Sequence, residues 1–318
     1  MPGLQKAEMP QMSEAQLERV NQMKVKILEN PHVKSFIEKH EEMLTKEVIE
    51  RGMTRLSEFV RNRAAFEAGK TVNGEWLEPI LIMNVNYPDV TYRKTDKQLE
   101  LELLEKTSKA LKKESIVSDN SIIEATFKSF VANTPAEQKA KRFAVDVAER
   151  YINGENFTTV LMGDVGSGKS HLAMSILNQV NIASFRNGNP KRVLFVSFPE
   201  LIGRIKESFN DYESRFSEER MLELMRGADL LVIDDAGRES NLSSGKSASD
   251  WLQRFVFKLF DNDTPKIITT NLTENGLVSI YNAGNASRIL RNSAGNVFSF
   301  AGISDKRKGM NVIKKGNS

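Results

Sequence analysis

Residues 158–173 read "TTVLMGDVGSGKSHLA": a short apolar run, a glycine-rich turn and the opening of a helical pattern. Gly163, Asp164, Val165, Gly166, Ser167, Gly168, Lys169 and Ser170 spell G-x-x-x-x-G-K-S. With a strand ahead and a helix behind, that spelling predicts a phosphate loop. Glycines let successive backbone N–H groups turn inward around phosphate oxygens, and the helix N-terminus adds favourable partial charge. Lys169 then reaches the β- and γ-phosphates and Ser170 ligates Mg²⁺, so the expected cofactors are ATP and Mg²⁺. His171 follows at once and is grouped with the loop, as a residue on the helix face.

A magnesium nucleotide needs an acid on a neighbouring strand, and "LLVIDDAG" at 230–237 supplies two. A buried strand has no structural use for adjacent carboxylates, because burying them unpaired is costly. Asp234 is expected to hold the metal and Asp235 to polarise the attacking water. At the end of "KIITTNL" (266–272), Asn271 is placed to orient that water, although Asn is also a common turn former after a strand. Around these motifs the chain alternates: "TTVLMG", "RVLFVSF", "DLLVID", "KIITTN" and "NVFSFAG" read as strands, with helical patterns between them. Continuously apolar strands alternating with amphipathic helices predict an α/β fold, a parallel sheet between helices.

The chain has 318 residues, 40% hydrophobic and 27% charged, with a formal charge of +3. Such a balance permits nucleic-acid binding only through a local patch. Cysteine is absent, which excludes disulfides, thiolate zinc sites and cysteine nucleophiles. No signal-like or membrane-spanning run is visible, so the expected location is cytoplasmic, with no membrane partner. Residues 1–12 read as a loose arm. Ser13 and Gln16 open a capping box, and Leu17, Val20, Met23 and Ile27 follow at helical spacing until Pro31 stops the run. A second helical pattern runs from Val33 through Phe36, Ile37 and Leu44 toward Val60, and the two are expected to pack on each other through Leu17, Val20, Ile27, Phe36, Ile37 and Leu44. "EPILIMNVNYPDVTYRKT" (78–95) reads as a hairpin, and "DKQLELELLEKTSKALKKES" (96–115) as a solvated connecting helix. The expected domains are 1–95, a connector over 96–119, and a nucleotide-binding domain over 120–318.

The wording "GSGKSHLAMSI", "LLVIDDAG" and "IITTNL", with "SIIEATFKSF" upstream, resembles AAA+ ATPases, and most closely helicase loaders of the DnaC/DnaI type and the related IstB-type ATPases. The resemblance covers about residues 115–305. It implies an AAA+ domain behind a small, mostly helical N-terminal module, slow ATP hydrolysis stimulated by assembly or single-stranded DNA, and self-association through the AAA+ domain. It also implies an arginine acting on a neighbouring subunit's γ-phosphate. Here "ASRILRNS" matches the first arginine of that motif at Arg288, while the second falls one residue short, at Arg291. Two surface arginines on a short helix would spell the same string. Phe260 stands where relatives often carry an arginine. The sixteen residues "ISDKRKGMNVIKKGNS" are too few for a helical lid, so no lid domain is expected.

The opening helices resemble those of DnaI-type loaders, which dock on the replicative DNA helicase, but the zinc-binding cysteines of that module are missing. The resemblance therefore implies an ATP-dependent loader that places a ring helicase on single-stranded DNA. An IstB-like transposition ATPase and a nucleotide-dependent adaptor that sequesters a replication protein are the alternatives. For DNA, "LIGRIKESFNDYESRFSEER" (201–220) puts Arg204, Lys206 and Arg215 near Phe209, Tyr212 and Phe216. Basic residues track phosphates while aromatics stack on bases. The same string equally reads as an amphipathic helix with Leu201, Ile205 and Phe209 inward. The family resemblance favours Arg204 and Lys206 as the DNA contacts.

Overall fold

In the computed structural model, the structure describes residues 13–211, 213–239 and 248–306. The N-terminal arm and Tyr212 of the sequence reading lie outside them. The chain divides between Glu102 and Leu103 into two compact units.

The first unit holds α1 (Glu14–Leu28), α2 (Pro31–Lys39), α3 (Lys46–Glu67) and an antiparallel hairpin of β1 (Leu77–Met83) and β2 (Pro88–Lys94). Ser13 and Gln16 form the expected capping box at the start of α1. Pro31 opens α2 rather than merely stopping α1: Asn30 caps the N–H groups of His32 and Val33, and a missing N–H at the first helical position is harmless. The long second pattern is broken by a turn over 40–45, where Thr45 caps α3. The core is Val33, Leu56 and Phe59, with Ile27, Ile37, Leu81 and Val90 packed against it. Gly52 lets the hairpin approach α3, since a Cβ there would stand 2.3 Å from the Pro88 ring. Leu17 and Val20, expected in this core, are exposed at 49% and 37%. Their spacing gives α1 an apolar stripe, but α1 has no buried residue: the buried core comes from α2 and α3, and α1 packs against it through Ile27 and Leu28 at its C-terminal end.

Helix α4 (Asp96–Glu114) follows the hairpin, with Leu99, Leu101 and Leu104 exposed. Its last turns are not a free connector: Leu111 is buried in the core of the second unit. Just beyond, Ile116 pairs in parallel with Val196 and covers an edge of the sheet.

That sheet has five parallel strands in the order β4-β5-β6-β3-β7. They are β3 (Thr158–Met162), β4 (Val193–Ser197), β5 (Leu230–Ala236), β6 (Lys266–Thr270) and β7 (Val297–Ser299). β3 to β6 are buried along most of their length, as their unbroken apolar runs require. One face is covered by α5 (Pro135–Ile152) and α6 (Lys169–Arg186), the other by α7 (Phe198–Glu207), α8 (Glu218–Arg226), α9 (Asp250–Phe260) and α10 (Glu274–Ile289). Leu201 and Ile205 turn into the second core as the amphipathic reading of α7 requires, whereas Phe209, just past the helix, is 47% exposed and meets Trp251 edge-on. Phe260 is buried in the same core, an environment hostile to arginine.

Leu56→Ala should cost about 2–5 kcal/mol and Leu17→Ala no more than about 0.5 kcal/mol, because only the first leaves a cavity. Urea melts of the full chain, followed through Trp76 in a Trp251→Phe background, read both. Equal losses would contradict the core described here.

Candidate nucleotide site

The 163–168 loop joins the end of β3 to the first turn of α6. Gly163, Gly166 and Gly168 all have positive φ, at 142°, 82° and 97°. Two of them also have no room for a side chain. A Cβ on Gly163 would lie 2.8 Å from that of Phe300, and one on Gly168 2.7 Å from the Phe130 ring. Glycine is therefore demanded here by backbone conformation and by space together.

Lys169 is 4% exposed and curls back over the loop. Its Nζ donates to the carbonyls of Gly163 (2.7 Å) and Asp164 (2.8 Å) and to Asn271 Oδ1 (2.8 Å). Asn271 thus stands beside the loop, delivered by β6, the immediate neighbour of β3. The acids come from one strand further away. The acids were expected on a strand neighbouring the loop-bearing one, but β6 lies between β5 and β3. Thr269 on β6 bridges the gap: its Oγ1 donates to Asp234 Oδ1 (2.7 Å) and accepts from the Asp235 N–H (2.9 Å).

Asp234 is 6% exposed, and burial, then the Asp235 charge, push its carboxyl up to about 6. Hydrogen bonds from Thr269 and Ser170 oppose that rise. A buried carboxylate bonded to the Ser170 hydroxyl is a hard oxygen donor set suited to Mg²⁺. Asp235 sits at φ 59°, where the β5–β6 register shifts, and this turns its carboxylate away from the strand toward Arg238 Nη1 at 3.0 Å.

Lys169, Ser170, Asp235, Arg238 and Asn271 line one cleft of about 790 Å³, and Asp234, which does not border it, connects to it through its hydrogen bond with Ser170. Val165, Gly166, Gly168, Lys169, Ser170, His171, Asp235 and Asn271 border it, while Gly163, Asp164 and Ser167 form the turn behind. His171 Nε2 meets Ser129 Oγ (3.1 Å) and the Thr126 carbonyl (3.2 Å), fastening the 126–130 segment to α6. Sequence reasoning missed a second wall. Lys306 donates its N–H to Gly166 O (2.9 Å), pairs with Glu137 (2.9 Å) and lies over the Phe130 ring (4.2 Å). Against the cost of burial, Lys306 and the N–H groups of Thr134 and Asn133 hold the Glu137 carboxyl at about 2. Its signal was readable: T-P-A-E at 134–137 is a capping box with proline at the first helical position.

Arg288 is elsewhere. With Arg291 it gathers near Asn156, Thr158, Asn262 and Lys266, where β3 and β6 begin, whereas the glycine loop follows the end of β3. A five-residue strand separates the two by about 15 Å. Its guanidinium lies 4.3 Å from the Phe257 ring, and Nη1 donates to Gly284 O. Arg291 approaches Asp261 at 3.5 Å. Arg204 pairs with Glu200 (2.8 Å) and faces the Phe216 ring, while exposed Lys206 lies near enough to Glu239 for its charge to favour that carboxylate. Among the described residues no helix is long and apolar enough to cross a membrane.

Because the folded chain binds a proton at Asp234 more tightly than an ordinary carboxyl would, this group's contribution to stability weakens as pH rises through about 6. Asp234→Asn should therefore stabilise the magnesium- and nucleotide-free chain by about 1–3 kcal/mol near pH 7.5, with the gain vanishing near pH 4. Denaturant melts at both pH values test this. A destabilised variant at the higher pH would contradict it.

Residues 4–92 match the family of primosomal protein DnaI N-termini, and residues 123–280 that of the bacterial DnaA ATPase domain. The replicative helicase loader DnaI of Bacillus subtilis is 24% identical over 71% of this chain and 70% of its own length. The replicative helicase loader DnaC of Buchnera aphidicola is 29% identical over 45% of this chain, which spans 56% of that relative. A crystal structure of DnaI aligns with a TM-score of 0.45 at 21% identity, covering 64% of this chain and all of that one. In this chain a region that matches DnaI N-termini is followed by one that matches the DnaA ATPase domain, and the chain is similar to replicative helicase loaders of the DnaI and DnaC type.

Proposed function

We propose that the chain is an ATP-dependent replicative helicase loader, which binds a ring helicase and helps place it on single-stranded DNA. The observation that carries this reading is the succession, in one chain, of a DnaI-type N-terminal region and an ATPase-type domain. The unit that ends at Glu102 takes the helicase, and the unit that begins at Leu103 binds nucleotide and self-associates. An IstB-like or sequestering role has no comparable support from the N-terminal region.

In the site, the loop N–H groups and Lys169 take the phosphates, and Ser170 and Asp234 hold Mg²⁺. Asp235 polarises the lytic water, which Asn271 orients once phosphate has drawn Lys169 away from it. Magnesium supplies charge neutralisation at the transferring phosphate. Arg288 lies too far from its own loop to touch that phosphate and acts on the nucleotide of an adjoining subunit. Arg204 and Lys206 are the proposed DNA contacts, on the exposed side of α7.

Lys169→Ala should weaken ATP binding by about a hundredfold or more, since the phosphates lose a buried cation. Asp235→Asn should bind ATP within about threefold of the parent but lower turnover by about 100-fold or more. Titration with a fluorescent nucleotide and phosphate-release assays separate the two effects. Equal loss of binding in both variants would contradict the assigned roles. Function is read by mixing the full chain with a purified ring helicase and closed circular single-stranded DNA carrying an annealed strand. Unwinding should rise with the chain and ATP and stay at background with Lys169→Ala. No rise with the parent chain would refute the loader reading.

A further inference from the structure

The loop that carries the acids continues into a buried group with no place in nucleotide chemistry. Glu239 is 1% exposed and Tyr281, on α10, is fully buried. The Tyr281 hydroxyl donates to Glu239 Oε1 and accepts from the Gly237 N–H (2.7 Å), which also reaches Glu239 Oε2 (3.0 Å). Burial pushes the Glu239 carboxyl up to about 7. Gly237 has to be glycine here: its φ is +95°, and a Cβ would meet Leu272 at 2.3 Å. A carboxyl is an expensive way to fill space, and its siting on the Tyr281 phenol and on backbone N–H groups of the acid loop fixes that loop to α10.

Immediately after Tyr281, α10 breaks. Asn282 has φ 65° and ψ 166°, and its Oδ1 accepts from the Asn285 N–H (3.0 Å), so it caps a second helical half. That half carries Arg288. Gln253 of α9 bonds both halves, accepting from Asn282 and Asn285 and donating to Ile280 O. Tyr281 therefore stands at the joint, tied to the acid loop on one side and preceding the capped half on the other.

We propose that Tyr281, together with Glu239, is a positioning residue that links the acid loop Asp234–Glu239 to the Arg288-bearing half of α10. The state of the nucleotide in a subunit's own cleft then sets how that subunit presents Arg288 to the next. This rests on the reading of Arg288 as acting across a subunit boundary. Asp235, in the left-handed region two residues before Gly237, borders the cleft, and a shift there is passed through the Tyr281 hydroxyl to the break at Asn282.

Tyr281→Phe in the full chain keeps the ring and removes the hydroxyl. Nucleotide affinity should stay within about twofold of the parent, while turnover stimulated by single-stranded DNA and helicase falls about tenfold. A merely structural role would lower both. Mixing Tyr281→Phe with Asp235→Asn should restore turnover, because the first supplies an intact acid and the second an intact arginine half. Should Tyr281→Phe melt early, Glu239→Ala carries the same test with the ring in place. Stimulated turnover equal to the parent's, or a defect that mixing does not restore, overturns the proposal. Arg288→Ala mixed with Asp235→Asn is run alongside. Rescue there with no Tyr281→Phe defect sinks the linkage and spares the shared site, whereas no rescue there sinks the shared site and the linkage with it.

Discussion

Burial of the Lys169 ammonium is the constraint from which the site follows. A nearly inaccessible cation needs oxygen partners, and three come from two strands: the Gly163 and Asp164 carbonyls after β3, and Asn271 after β6. Holding them together requires β6 to lie directly against β3, which brings Thr269 alongside Asp234 and so places the acids of β5 within reach of the loop. Losing that one charge would leave Asn271 and two carbonyls without a shared donor, and Asp234 without a nearby cation to oppose its burial.

The same sheet separates two kinds of chemistry by the length of a strand. The groups that border the cleft cluster where β3, β5 and β6 end, while Arg288 and Arg291 gather where β3 and β6 begin. A single subunit therefore cannot complete a site that uses both. Between the two ends runs α10, its first half tied to the acid loop through Tyr281 and its second half capped anew at Asn282.

Local patterns made much of this legible in the sequence. The five strands of the sheet announced themselves as apolar runs, and G-x-x-x-x-G-K-S named a turn in which Gly163 and Gly168 prove irreplaceable on steric grounds. What stayed hidden depends on order in space. Nothing in "LLVIDDAG" or "KIITTN" says that the second strand inserts between the first and the loop-bearing β3. Likewise, Leu17 and Val20 carry the same periodicity as true core residues, and only the packing of α2, α3 and the hairpin leaves them outside. Glu239 and Tyr281, 42 residues apart, have no shared motif, and their contact exists only because α10 folds back beneath the acid loop. The Glu137–Lys306 wall is similar, although the capping box at Thr134 marked one of its partners.

The central claim is that a nucleotide's phosphates replace Asn271 as a partner of Lys169. A high-resolution structure of the full chain with Mg²⁺ and a non-hydrolysable ATP analogue tests it most directly. The account predicts Lys169 Nζ bonded to a phosphate oxygen, Asn271 released toward the attacking-water position, and Mg²⁺ held at Ser170 and Asp234. A bound nucleotide with Lys169 still on Asn271, or with its phosphates outside the Gly163–Ser170 loop, would contradict it.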